Sequence, residues 1–312
     1  MNGLEMSKAY FEEYGLPMLR KQFPHLLPCL AAGLTGSGSE CFGYDDALSR
    51  DHDYEPGFCL FLPDEETVSR RDAFQLERAY AALPKSFMGI ERPLMHPVGQ
   101  RRGVFRLSEF YMEKAGTEDG FLSTEQWLSI PDAALAEATN GEVFYDAYGR
   151  LTEIRKRLST RPEDIRRKKL CAHLLLMSQS GQYNYSRCLK HGENAAAQMA
   201  VFEYVRHCSQ VIFLLNGAYM PFYKWMFRAM RSLPKLSLLA ELLEYLMTTD
   251  NDREQSREKS DVMEGISADI IRELADQELT GASGAELERH ALSVNDGIKD
   301  AGIRNMHVLS GE

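Results

Sequence analysis

The chain has no Cys-x-x-Cys pair; its six cysteines (29, 41, 59, 171, 188 and 208) are scattered. That pattern argues against a zinc site and against a disulfide framework, and fits reduced thiols in a cytoplasmic protein. No apolar run is long enough to cross a bilayer. The longest, around Val211 to Phe222, is broken by Asn216 and Gly217. The N-terminal stretch lacks the basic start and apolar block of a secretory leader, so a cytoplasmic location away from membranes is expected. A positive balance is missing too: 36 Lys and Arg face 46 Asp and Glu, a net charge of −10. This disfavours sequence-blind binding to nucleic acid, which rests on cations displacing counterions, without excluding a local basic patch. No internal repeat is visible.

What is present reads as an ordinary globular protein, with 44% hydrophobic and 26% charged residues over 312 positions. That length suits two domains better than one core. The informative stretch is TGSGSECFGYDDALSRDHDY, Thr35 to Tyr54. A short apolar run, Leu30 to Leu34, reads as a buried strand and breaks into Gly36-Ser37-Gly38-Ser39. A second strand then opens with Asp51-His52-Asp53; Pro56-Gly57 interrupts it, so that its far half, Phe58 to Leu62, is expected to start after a bulge. Alternation along a strand puts Asp51 and Asp53 on one face. Two carboxylates side by side suit a divalent cation, and Mg²⁺ prefers a pair of carboxylates together with phosphate oxygens and water. Glycines upstream let main-chain N–H groups approach an anion, and Ser39 adds a hydroxyl. The economical reading is a metal–triphosphate site; the alternative is an exposed, capped turn. Ser37 and Ser49 read as further turn residues.

Gly38-Ser39, eleven residues, then Asp51-x-Asp53 resembles the signature of the nucleotidyltransferase superfamily, the DNA polymerase beta-like fold. The resemblance covers residues 25 to 160 and is nearest to minimal and antibiotic-type members with a helical second domain. More narrowly, the chain is similar to an uncharacterised bacterial domain-of-unknown-function family. One difference is His52, where the superfamily usually has an apolar residue. The resemblance implies an α+β fold: a mixed sheet with flanking helices over 1–160, then an all-α helical bundle over 161–312. It implies a Mg²⁺-dependent enzyme that moves a nucleotidyl group, most readily adenylyl from ATP, onto a hydroxyl-type acceptor. Asp51 and Asp53 would hold the metal, and Gly38 and Ser39 the outgoing pyrophosphate. A third carboxylate is expected on a strand after the following helix, and Glu109 in the strand-forming run Val104 to Tyr111 fits by order. A basic residue from the helical domain would neutralise the triphosphate; Arg187 and Lys190, on one face of a helix, are the candidates, with plain surface as the alternative.

Around this core, residues 4–14 read as an amphipathic helix ended by Gly15 and Pro17. Pro63-Asp64 reads as the start of a helix reaching Leu83, with Asp64 as its cap. Glu142 to Tyr145 reads as a strand before a turn at Asp146–Gly149. Past Pro162 helical periodicities take over, with a long helix from Asn194 to Leu215 whose apolar side includes Met199, Phe202, Val205, Cys208, Ile212 and Leu215. Thr248 to Asp261 is polar throughout and reads as a solvated linker. Nine bases against three acids fill residues 150–169, either a solvated face or a positive rim. The aromatic cluster Tyr219 to Trp225 and the lone His173 read as packing residues. Two other functions stay open. One is a degenerate nucleotidyltransferase acting as a nucleotide sensor or antitoxin-like partner. The other is a transferase acting on RNA or protein, using the basic run.

Overall fold

Two short runs, both buried along their whole length, form the centre of the sheet: β1 (Ala31–Leu34) and β2 (Cys59–Leu62). Strands covered on both faces need no polar alternation, which is why each reads as an unbroken apolar stretch. The computed structural model describes residues 1–46, 55–92, 101–252 and 254–312; Ser49, Asp51, His52 and Asp53 lie outside the described residues. After β2 come a small hairpin, β3 (Ser86–Phe87) and β4 (Ile90–Glu91), then β5 (Gly103–Arg106) and β6 (Glu142–Asp146). The main sheet has the order β5-β2-β1-β6. β1 is antiparallel to both β2 and β6, while β5 runs parallel to β2 with Cys59 opposite Gly103 and Leu62 opposite Arg106. The fold is α+β with a mixed sheet.

On one face lie α1 (Gly3–Tyr10) and α2 (Leu16–Gln22), joined without a break by a π turn at Phe11–Gly15. The expected stop at Gly15 and Pro17 becomes this wider turn, which accommodates a proline that has no N–H to give and crowds the carbonyl four residues back. Gly15 is needed there because a Cβ would sit 2.5 Å from Cζ of Phe58. Met6, Tyr10, Phe11 and Leu19 pack with Phe58, Leu60 and Leu62 in one core. The next helix, α3 (Arg70–Ala81), starts later than expected: Asp64 accepts from Thr67 N in a separate turn, and Ser69 Oγ caps α3 through Asp72 N at 3.1 Å. Tyr80 on α3 ties back to the sheet, donating to Phe58 O at 2.7 Å.

Glu109 is not on a strand. β5 stops at Arg106 because its partner β2 ends opposite it, at Leu62, and Pro63 follows. The chain then turns into α4 (Leu107–Ala115), whose Phe110 packs edge-on against Phe61 on the second face of the sheet, 5.1 Å between ring centres. Glu109 lies in the first turn of α4 and is exposed.

The remaining helices are α5 (Thr124–Ser129), α6 (Asp132–Thr139), α7 (Arg150–Ser159), α8 (Glu163–Met177), α9 (Tyr185–Lys190), α10 (Asn194–Leu215), α11 (Tyr223–Met230), α12 (Leu239–Thr248), α13 (Gln255–Asp276), α14 (Leu287–Asp296) and α15 (Ala301–Arg304). The chain divides into two compact units, residues 1–122 with 134–160, and 123–133 with 161–312. Within the second, α10 buries Val205, Cys208, Ile212 and Leu215, but Met199 and Phe202 are 71% and 51% exposed. The expected linker is in large part helix, α13 beginning at Gln255. What folds that polar stretch is Lys259, fully buried, its Nζ donating to Gln198 Oε1, Thr249 O and Asn251 Oδ1 at 2.9–3.1 Å. A buried ammonium is tolerated when its donors are met.

The basic run is for the most part neither a free face nor a rim. Arg155 donates to Thr139 O, Arg157 to Asp119 O and Arg166 to Leu214 O. Arg161 pairs with buried Asp132 at 2.6 Å, and buried Lys168 caps the carbonyls of Arg304 and Met306.

His173 on α8 and His207 on α10 meet in the same unit, Nδ1 to Nδ1 at 2.9 Å, with 5% and 2% of their surfaces exposed. Burial drives His173 well below the usual range, helped by His207, Lys169, Arg206 and Arg161. Burial and Arg206 bring His207 down to about 4 against the pull of Glu203 and Glu312. An unfolded imidazole takes up its proton near pH 6.5. Unfolding is therefore favoured progressively as pH falls from about 6.5 to about 4, by roughly 3 kcal/mol for His207. Urea unfolding of wild type and His207→Gln across this range should show their stability difference shift toward wild type as pH rises, and level off above about 6.5. A parallel pair of pH profiles would contradict it.

Candidate functional site

The C-terminus of β1 and the N-termini of β2, β5 and β6 share one end of the sheet, since Gly33 faces Cys59, Cys59 faces Gly103 and Leu34 faces Glu142. The Gly36-Ser37-Gly38-Ser39 turn leaves β1 at this end. It borders a cleft of about 240 Å³ lined by Thr35, Gly36, Ser37, Gly38, Glu40 and Cys41, by Arg101 and Phe105, and by Phe110, Glu113 and Lys114 of α4. Larger hollows exist. One of about 530 Å³ lies at the opposite end of the sheet by Cys29, Pro63 and Leu107, and one of about 400 Å³ lies by Ser180, Asn184, Arg206 and His207. Neither contains the glycine turn, which is the feature with a chemical rationale.

The turn is held from both sides by residues that sequence reasoning passes over. Gly36 has φ +131°, a conformation essentially reserved for glycine. Its N–H donates to Asn140 Oδ1 at 2.9 Å and its carbonyl accepts from Asn140 Nδ2 at 2.7 Å. Gly141 donates its N–H to Cys41 O at 2.8 Å. A Cβ on Gly141 would fall 1.8 Å from Leu34 O, so this turn before β6 closes on β1 only with glycine there. Among the described residues no acceptor takes the N–H groups of Ser37 and Ser39, while that of Gly38 faces the Cys41 thiol. Gly38 also makes room locally, since a Cβ there would lie within 2.2–2.4 Å of the Glu40 carboxylate. Ser39 opens a short 3₁₀ turn, Ser39–Phe42, and Ser37 is the serine that lines the cleft.

Beneath the turn, a guanidinium lies between two carboxylates. Arg102 pairs with Glu40 at 2.8 Å and with Glu55 at 3.3 Å, all three side chains 7% exposed or less. Burial opposes the charge on Arg102, but Glu40 and Glu55 outweigh it and hold its pKa above the ordinary value. The neighbouring thiol of Cys59 is pushed up to about 12 by burial, although Arg102 pulls it the other way, so it stays a thiol at neutral pH.

The expected site residues are placed as follows. Gly38 lines the cleft, whereas Ser39, the first residue of the 3₁₀ turn, does not. Asp51 and Asp53 lie outside the described residues. β5 reads Gly103-Val104-Phe105-Arg106 and carries no acid; the acid that α4 brings to the cleft is Glu113, one turn beyond Glu109. Among the described residues no three His, Cys, Asp or Glu side chains converge to hold a metal. Arg187 and Lys190 lie in the last turn of α9 in the second unit and are exposed, Arg187 over the Tyr183 ring and bonded to its hydroxyl at 2.9 Å. No helix among the described residues is long and apolar enough to cross a membrane.

Replacing Arg102 by Met removes the counter-charge that Glu40 and Glu55 face. Breaking a buried pair in this way costs on the order of 3–5 kcal/mol, and Arg102→Lys should recover only part, because an ammonium lacks the planar fork. Urea unfolding at neutral pH reads the order wild type, R102K, R102M in falling stability.

Compared with known proteins, residues 127–226 match the family described as Domain of unknown function (DUF4037), roughly a third of the chain. The similarity to a domain-of-unknown-function family read from the sequence is met over that stretch. No curated protein and no solved structure matches the chain.

Proposed function

We propose that the chain binds a nucleoside triphosphate at the Gly36–Ser39 turn and transfers its nucleotidyl group, most readily adenylyl, to a hydroxyl-type acceptor. One observation supports this reading: at the end of a mixed sheet, where β1 leaves and β2 and β5 begin, a glycine-serine turn borders a cleft, and its Ser37 and Ser39 N–H groups have no acceptor among the described residues. Such N–H groups are suited to phosphate oxygens. Lys114, which pairs with Glu137 at 2.9 Å, and Arg101 add positive charge at the cleft wall.

In this reading Asp51 and Asp53 would hold Mg²⁺, which would offset triphosphate charge. The turn takes the terminal phosphates and steadies the departing pyrophosphate, so that rate derives from alignment and electrostatics rather than a covalent intermediate. Arg187 or Lys190 remains the proposed additional cation. The setting is cytoplasmic.

A second reading, nucleotide binding without transfer, as in a sensor or an antitoxin-like partner, is favoured by the head of β5. The strand on which a third acid is expected carries none, Glu109 lying in α4, and the residue just before it, Arg102, is paired with Glu40 and Glu55. Transfer to RNA or protein draws less support, because most of the basic run is tied up inside the chain.

Pyrophosphate release from ATP, measured with and without Mg²⁺ and with small hydroxyl compounds as acceptors, separates the first two readings. Asp51→Asn and Asp53→Asn should each lower turnover by at least about a hundredfold, with circular dichroism unchanged. A wild type that binds ATP yet releases no pyrophosphate with any acceptor would favour the sensor.

A further inference from the structure

The residue that shapes the glycine turn comes from 104 positions further along the chain. Asn140 meets both polar atoms of Gly36, its Oδ1 accepting the N–H at 2.9 Å and its Nδ2 donating to the carbonyl at 2.7 Å. This reciprocal pairing fixes which end of the amide faces which atom. The Thr35 hydroxyl stands 3.1 Å from the same Oδ1 and 2.9 Å from Glu137 O. Asn140 is braced in turn, because Arg155 on α7 donates to the carbonyls on either side of it, Thr139 O at 2.7 Å and Gly141 O at 3.4 Å. Gly141 N–H to Cys41 O pins the other end of the loop. Between the two pins lie Ser37, Gly38 and Ser39.

A glycine at φ +131° has the widest conformational choice of any residue, so nothing local keeps the Gly36 peptide in one orientation. Rotation of that peptide would re-aim the N–H groups that follow it. We propose that Asn140 is a positioning residue for polyphosphate: by fixing the Gly36 peptide it presents the Ser37 and Ser39 N–H groups to the phosphates, an inference that rests on the nucleotide reading. Its ligand class is the polyphosphate moiety itself, so inorganic tripolyphosphate is a sufficient probe. Arg155 acts one step further back, as a brace.

Two measurements on the full chain test this. Calorimetric titration with tripolyphosphate, with Mg²⁺ and without, compares wild type with Asn140→Ala and Asn140→Asp. The Asp variant is isosteric and keeps the acceptor for Gly36 N–H, but turns an oxygen toward the Gly36 carbonyl. Both variants should bind about tenfold more weakly or worse, as expected when both orienting hydrogen bonds are lost (Ala) or when one is lost and replaced by an oxygen–oxygen repulsion (Asp). Amide hydrogen exchange without ligand should speed up in both variants at the hydrogen-bonded N–H groups of the 36–41 loop, those of Gly36 and Cys41, with the core strands unchanged. Tripolyphosphate bound within twofold of wild type by a folded Asn140→Asp overturns the proposal, as does unchanged exchange at those two N–H groups. If wild type binds neither tripolyphosphate nor ATP, the nucleotide reading falls and the polyphosphate role with it. Faster exchange in the variants would then show Asn140 positioning a turn of some other use.

Discussion

A guanidinium cannot be withdrawn from water unless its charge and donors are met where it goes, and Arg102 is withdrawn almost completely. Its partners come from two distant stretches, Glu40 from the turn after β1 and Glu55 from the approach to β2, while Arg102 itself heads β5. The condition therefore joins three strand ends at one point. Glu40 can turn back toward Arg102 only because Gly38 leaves room for its carboxylate, so a glycine that looks like part of an anion loop also serves an ion pair. On the far side of the turn, Asn140 and Gly141 impose a second constraint, made of main-chain hydrogen bonds and a contact too close for any side chain. The glycine loop is held between a buried charge and a neutral amide.

How much of this is legible in the sequence depends on the range of the interaction. The strands around Ala31–Leu34 and Cys59–Leu62 can be read because burial on both faces leaves a continuous apolar run. The strand at Glu142–Asp146 can be read from its flanking turn. The helix Asn194–Leu215 can be read from its period. The strand expected at Glu109 fails because Val104, Phe105, Phe110 and Tyr111 favour strands as a group, while the length of β5 is set by where β2 ends. Composition cannot reveal that limit. The helix over 255–261 escapes a local reading for a similar reason, since the acceptors that admit Lys259 come from Gln198, Thr249 and Asn251. Asn140 has no local mark at all. An asparagine before a glycine reads as a turn, and only the fold shows its amide facing Gly36.

The basic run at 150–169 shows how charge density misleads in the other direction. Arg155, Arg157 and Arg166 reach main-chain carbonyls, Arg161 reaches buried Asp132, and Lys168 caps the carbonyls of residues 304 and 306. Cations that hold carbonyls act as structural donors, and moving them to an external phosphate would leave those carbonyls without their partners. The run therefore supplies little for an incoming anion, and among the described residues its tie to the cleft is indirect, through the brace that Arg155 provides behind Asn140.

That places the electrostatic burden of any polyphosphate at the cleft itself. A chain of net charge −10 repels a highly charged anion at long range, so on the nucleotide reading capture would depend on short-range donors and on a divalent counter-ion travelling with the phosphates. Main-chain N–H groups are well matched to such capture. They carry no net charge, they attract an anion only at contact, and screening by salt affects them less than it affects a field of lysines. Such donors are useful only if they point the right way before the ligand arrives. On the nucleotide reading, the orientation of a single glycine peptide then matters more to binding than the number of cations in the neighbourhood. An acidic protein can serve an anionic substrate on those terms, with geometry replacing charge.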